Sequence, residues 1–203
     1  MKKTIWQPVA IGTVLGLLAG IGIAAGLSFI IPGAFSSVIG FFTTLFLLAA
    51  ALGGPLAGVV ASTICVVIAA FFGSPDLKEA LSDSVIFWSN VVVTGTFVAL
   101  VGFAYRLIFE RVKMPARLLP WAGIVIAYYL LYLPANAGAQ FYLNGDSGVL
   151  SAVIGSYNAY IPQVFFDIFI TSLVFIALPA RNRRPQWYES KQTTNQSGKI
   201  QDE

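Results

Sequence analysis

The sequence predicts an all-α integral membrane protein, a bundle of six transmembrane helices with both termini in the cytoplasm. Three observations carry that expectation. Hydrophobic residues make up 57% of the 203-residue chain and charged residues 10%, which leaves too little polar surface to coat a soluble globule of this size. The apolar residues fall into six runs, most of them near the length of about 20 residues that a helix needs to cross a bilayer. The basic residues cluster before the first run, around the fourth connection and after the last run.

The runs lie at about 8–31, 37–52, 56–73, 85–109, 118–133 and 151–178, each bounded by proline, glycine or charge. Each is continuously apolar, where barrel strands would alternate over about 10 residues, so helices are expected. The first lacks the small-residue cleavage site of a secretory signal and is expected to remain in the mature chain. Gly53, Gly54 and Pro55 break the second run from the third. Between the third and fourth, Ser74 followed by Pro75 and Asp76 reads as a helix start, with the hydroxyl as cap and proline at the first helical position. A short amphipathic helix is therefore expected at the outer interface. Residues 1–180 form one domain on this reading, and the polar stretch 181–203 is expected to be a disordered cytoplasmic tail.

Lys2 and Lys3 precede the first run, Arg106, Arg111, Lys113 and Arg117 surround the fourth connection, and Arg181, Arg183 and Arg184 follow the last. Six spans put eleven of the twelve basic residues on one side, with only Lys78 opposite. That is the bias of cytoplasmic loops and termini. The expected location is the inner, cytoplasmic membrane. The basic residues form no groove-lining stripe, so nucleic acid is not an expected partner, while the lipid bilayer is.

Within the apolar runs a few residues stand out. Gly12, Gly16, Gly20 and Ala24 recur every four residues and leave one face of the first helix nearly bare, a face for close helix packing inside the bundle or for docking a partner subunit. Asp167, the one acid of the last run, lies four residues past Gln163 and five past Pro162. A carboxylate facing lipid is costly, so it is expected to line a cavity open to the outside, with a structural hydrogen bond to a neighbouring helix as the alternative. Asp83, Trp88, Asn90, Asn136, Gln140, Tyr157 and Asn158 crowd the same outer level, combining aromatic walls with placed polar groups. With Lys78 the only cation there, a small neutral or cationic molecule is favoured over an anion.

Catalysis is not expected. The chain has no histidine, and no close pair of acids lies within its apolar runs. No cofactor is expected, and no GxxxxGK[ST] phosphate loop is present.

Six spans with both ends inside, a first helix with a small-residue face, the hairpin GPLAGVVAS and the closing run IPQVFFDIFITSLVFIALP resemble the substrate-binding S components of energy-coupling factor transporters, the bacterial vitamin and micronutrient importers. The likeness covers about residues 5–180. It implies a subunit that binds substrate from the outer face and docks on a transmembrane coupling protein carrying two ATPases. Asp83, Trp88, Asn90, Asn136, Tyr157, Gln163 and Asp167 fall where the family's ligand contacts lie. Gly12, Gly16 and Gly20 stand where its docking helix usually carries alanines. A membrane scaffold or sensor module is the alternative function, since such proteins also use five or six spans with glycine-rich hairpins.

Overall fold

The computed structural model describes residues 5–25, 28–31, 37–144 and 149–178; the tail expected at 181–203 lies outside them. Along the chain come α1 (Trp6–Ala24), β1 (Ser28–Ile31), β2 (Ser37–Gly40), α2 (Phe41–Gly53), α3 (Pro55–Phe72), α4 (Pro75–Ser82), α5 (Ser84–Arg111), α6 (Leu118–Asn144) and α7 (Val149–Ala177). Five helices, α1, α3, α5, α6 and α7, contain stretches long and apolar enough to cross a membrane, and α2 is a shorter apolar helix. The chain is a helical, multi-pass membrane protein.

The second expected span departs from a plain helix. At 13 residues, α2 is roughly 20 Å long at 1.5 Å per residue, short of a hydrocarbon core of about 30 Å. The four residues before it, Ser37–Gly40, are extended and pair antiparallel with β1, Ser28 opposite Gly40 and Ile31 opposite Ser37. At about 3.3 Å per residue that strand adds roughly 13 Å. Strand and helix together thus fill the run that one helix was expected to fill. The β-branched Val38 and Ile39 and the glycine at position 40 favour extended chain over helix. For the same reason the first run ends its helix at Ala24, and Ser28–Ile31 becomes a strand. The short helix expected after Ser74 is present as α4, with Pro75 as its first residue and the Lys78 N–H bonded to the Ser74 carbonyl at 2.9 Å.

α2 is the centre of the bundle, in contact with α1, α3, α5 and α7. Nine of its residues are buried, and Ala49, Ala50 and Ala51 are 0% exposed. A helix apolar on every side belongs inside, and its alanines let four neighbours approach. One residue turns the chain into α3: Gly54 has φ 85°, a left-handed conformation that only glycine adopts without steric cost. Pro55 then starts α3 with its ring already set for a helix. α5 crosses this turn at backbone distance. A Cβ at Gly102 would stand 2.8 Å from the Pro55 nitrogen.

The bare face of α1 is filled by α3, its most extensive neighbour. A Cβ would stand 2.5 Å from the Ala57 carbonyl oxygen at Gly12, 2.7 Å from that of Ala61 at Gly16, and 2.6 Å from Ile68 Cδ1 at Gly20. Small residues on both helices allow this approach. The expectation that Gly12, Gly16 and Gly20 dock a separate subunit is corrected, because the chain covers that face itself.

At the end where α5 passes to α6, Arg117 is folded inward. Its Nε donates to the Val112 carbonyl at 2.8 Å and Nη2 to the Phe109 carbonyl at 3.3 Å, with the guanidinium 3.9 Å from the Phe109 ring centre. A cation on the last carbonyls of a helix also complements its dipole. The opposite end carries α4 and the strand pair.

Gly16→Leu should lower stability by about 1–3 kcal/mol, the usual cost of overpacking a tight contact. Gly22→Leu, where an added Cβ meets nothing within 4 Å, should stay within about 0.5 kcal/mol of the parent. Unfolding of the detergent-purified protein measures both.

Candidate functional site

Two arrangements of polar side chains occur in the bundle, a sealed ladder on α7 and a cavity beside it. The ladder consists of Gln163, Asp167 and Thr171, spaced one helical turn apart on one face of α7 and 2%, 0% and 0% exposed. Gln163 uses its whole carboxamide. Its Oε1 accepts from the Gly40 N–H at 2.8 Å, and its Nε2 donates to the Gly40 carbonyl at 2.9 Å and to Asp167 Oδ1 at 2.8 Å. Asp167 Oδ1 also accepts from the Thr44 hydroxyl of α2, and Oδ2 accepts from the Tyr129 hydroxyl of α6 at 2.6 Å. The Thr171 hydroxyl donates back to the Asp167 carbonyl at 2.5 Å and accepts from the Trp121 indole N–H at 2.8 Å. Trp121 is 0% exposed, so its one donor needs such a partner.

The sequence placed Asp167 and Gln163 on the wall of a cavity open to the outside. The structure corrects this. Both carboxyl oxygens of Asp167 are engaged by side chains of α2, α6 and α7, and the residue has no exposed surface. The alternative, a structural hydrogen bond to a neighbouring helix, describes the geometry. Burying a polar group is tolerable when its bonds are complete, and here several donors meet one acid.

The cavity lies on the other side of Tyr129, toward the α4 end, with a volume of about 350 Å³. Aromatic walls come from Phe42 and Phe46 of α2, Tyr128, Tyr129 and Tyr132 of α6, and Tyr160 of α7. Tyr128 and Tyr132 stack with ring centres 5.2 Å apart and planes 7° from parallel. Thr43, Asn90, Thr94 and Asn136 supply polar groups, Leu81 of α4 reaches in from the end, and Ile23, Cys65, Val66 and Ala69 complete the lining. Thr94 and Tyr132 are joined through their hydroxyls at 3.5 Å. Asn90 donates its Nδ2 to the Ile86 carbonyl at 2.9 Å. The carboxamide oxygen of Asn136 is buried and has no hydrogen-bond partner among the described residues. No charged side chain lines the cavity among the described residues. Nor does any group of three Cys, Asp or Glu side chains there suit a metal ion.

Of the residues singled out from the sequence, Asn90 and Asn136 meet at this cavity, and the others whose side chains are described do not. Asp83 stands just before α5, its Oδ1 accepting from the Ile86 N–H at 3.3 Å. Trp88 is 61% exposed, edge-on to Phe87. Asn158 is exposed. Gln140 falls on α6, but its side chain lies outside the described residues. Tyr157 lines a separate, smaller groove of about 170 Å³ between α6 and α7. Pro134 has no N–H to close on the Leu130 carbonyl one turn earlier, and the Tyr157 hydroxyl donates to that carbonyl at 2.7 Å.

Thr44, Tyr129, Thr171 and Trp121 on the ladder, and Thr94, Tyr128 and Tyr132 at the cavity, were not foreseen as site residues. A four-residue spacing would have found most of them: 163, 167 and 171 on α7, 128, 132 and 136 on α6, and 90 and 94 on α5.

Asp167→Ala leaves the Tyr129 and Thr44 hydroxyls without their acceptor and should destabilise the protein by about 2–3 kcal/mol, well above the 0.6 kcal/mol or so of an average hydrogen bond between membrane helices. Asp167→Asn, which keeps an acceptor, should cost less than half as much, and Tyr157→Phe about 0.6 kcal/mol. Denaturant unfolding in micelles ranks the three. Comparison of the chain with family models, curated proteins and solved structures finds no match.

Proposed function

We propose that the chain is the substrate-binding subunit of an importer, a protein of the cytoplasmic membrane with both termini inside that captures a small molecule from the outer face. The observation that carries this reading is the cavity of about 350 Å³. Its size falls in the range of small-molecule sites, which combine aromatic walls with a few placed polar groups. Its position agrees: it lies toward α4, away from the end that carries Arg111, Lys113 and Arg117, and such basic connections face the cytoplasm. The resemblance to S components adds the rest. Lacking a phosphate loop in its sequence, the chain would draw on ATP through a coupling protein and two ATPase subunits. Docking through Gly12, Gly16 and Gly20 is not part of the proposal, since α3 occupies that face.

A membrane scaffold is the second reading. The polar groups of α7 favour it, because Gln163, Asp167 and Thr171 spend their bonds on holding helices together.

Thermal unfolding of the purified protein against a panel of vitamins and their precursors separates the two. Under the transport reading at least one compound raises Tm, with about 2.7 kcal/mol of stabilisation at a hundredfold excess over Kd. Thr94→Trp, which fills the cavity, should abolish the shift. Flat curves across the panel, with no ATPase co-purifying from native membranes, would hand the case to the scaffold.

A further inference from the structure

We infer that the cavity takes a neutral, planar molecule that offers an N–H or O–H donor to Asn136, an inference that rests on the binding reading above. Three features of the walls select this class. First, charge is missing: among the described residues no lysine, arginine, aspartate or glutamate lines the space. An ion drawn out of water into such a site would find no counter-charge, and an unpaired buried charge is strongly disfavoured. The nearby acid does not supply one, since Asp167 lies behind Tyr129 with both oxygens already engaged.

Second, the walls are flat. The Tyr128 and Tyr132 rings lie parallel, and phenylalanine and tyrosine rings of α2 and α7 share the lining. A planar ligand gains offset stacking and edge-to-face contacts here beyond its simple burial. Third, the polar vacancy is an acceptor. The Asn136 oxygen is buried with no partner among the described residues, whereas the Asn90 amide already spends a donor on the Ile86 carbonyl. A buried acceptor left unpaired costs free energy that a ligand donor recovers. The last torsion of asparagine is soft, so the Asn136 carboxamide turns its oxygen to the cavity when a donor arrives. The neighbouring hydroxyls of Thr94 and Tyr132 can donate to an acceptor on the same ligand.

Three compounds of one shape and different charge test this: benzamide, benzoate and benzamidine. Each is titrated to millimolar concentration against the full chain in micelles, and Kd is read from the shift in Tm. Benzamide should bind, with affinity falling by about tenfold or more in Asn136→Leu, the scale of one lost hydrogen bond to a buried group. Asn136→Ser serves if the leucine variant does not fold. Benzoate and benzamidine should bind at least tenfold more weakly than benzamide. The inference is overturned if either ion matches benzamide, if the Asn136 variants bind benzamide as the parent does, or if benzamide gives no shift. In each case the vitamin panel decides the wider reading separately. A panel compound whose shift Thr94→Trp removes keeps the cavity as a binding site of another chemical class, and a flat panel removes both.

Discussion

The backbone of Gly40 is extended inside an apolar bundle, where only the protein itself can complete its hydrogen bonds, and the Gln163 carboxamide completes two of them at once. Non-helical chain survives among membrane helices only where protein or enclosed water satisfies it. With that bond in place, the second apolar run can be part strand and part helix. Its helical part can then be short and central, packed by four neighbours through alanine rather than spanning the bilayer alone. One turn further along α7, Asp167 repeats the device with the first turn of α2 through Thr44. One turn further again, Thr171 holds Trp121 of α6. The ladder is a seam that joins three helices by bonds whose geometry is directional, where apolar packing alone would allow sliding.

The same seam shapes the cavity. Tyr129 belongs to both, its hydroxyl given to Asp167 and its ring to the cavity wall. By drawing the carboxyl group into its own network, the seam keeps charge out of the adjoining space. What is left around that space is rings, hydroxyls and amides of α2, α5, α6 and α7, small and aliphatic side chains of α1 and α3, and α4 at the end. Such a site depends on the whole bundle being assembled, so its stability and its shape are linked.

Much of the architecture could be read along the chain. Five of the six apolar runs fold as long helices, because continuous apolar sequence in a membrane has few alternatives, although α1 stops at Ala24, short of its run's end, and α6 continues past its own to Asn144. Gly54 and Pro55 mark a reversal for reasons internal to those two residues, the one permitting φ 85° and the other starting a helix. Ser74 and Pro75 announce α4 in the same local way. The departure of the second run from a plain helix is not legible there, because hydropathy does not distinguish an apolar strand from an apolar helix when both are enclosed. Asp167 was recognised as unusual, but its surroundings were not legible. Tyr129 is 38 residues away and Thr44 123 residues away, and nothing local says which helix an acid will face.

By itself, then, the sequence determined that this is a membrane bundle, where its helices begin and turn, and that a four-residue spacing of glycines would bring two helices to backbone contact. Those outcomes follow from solvent transfer and from local backbone sterics, which act on neighbours in the chain. Only the tertiary structure decided that α3 covers those glycines, that Asp167 is sealed, that the Asn136 carboxamide oxygen is buried with no partner among the described residues, and that the cavity is lined by tyrosines rather than by the acid. Hydrogen bonds and ring contacts between helices depend on rotation and register across the bundle, and these are set by packing among segments far apart in sequence.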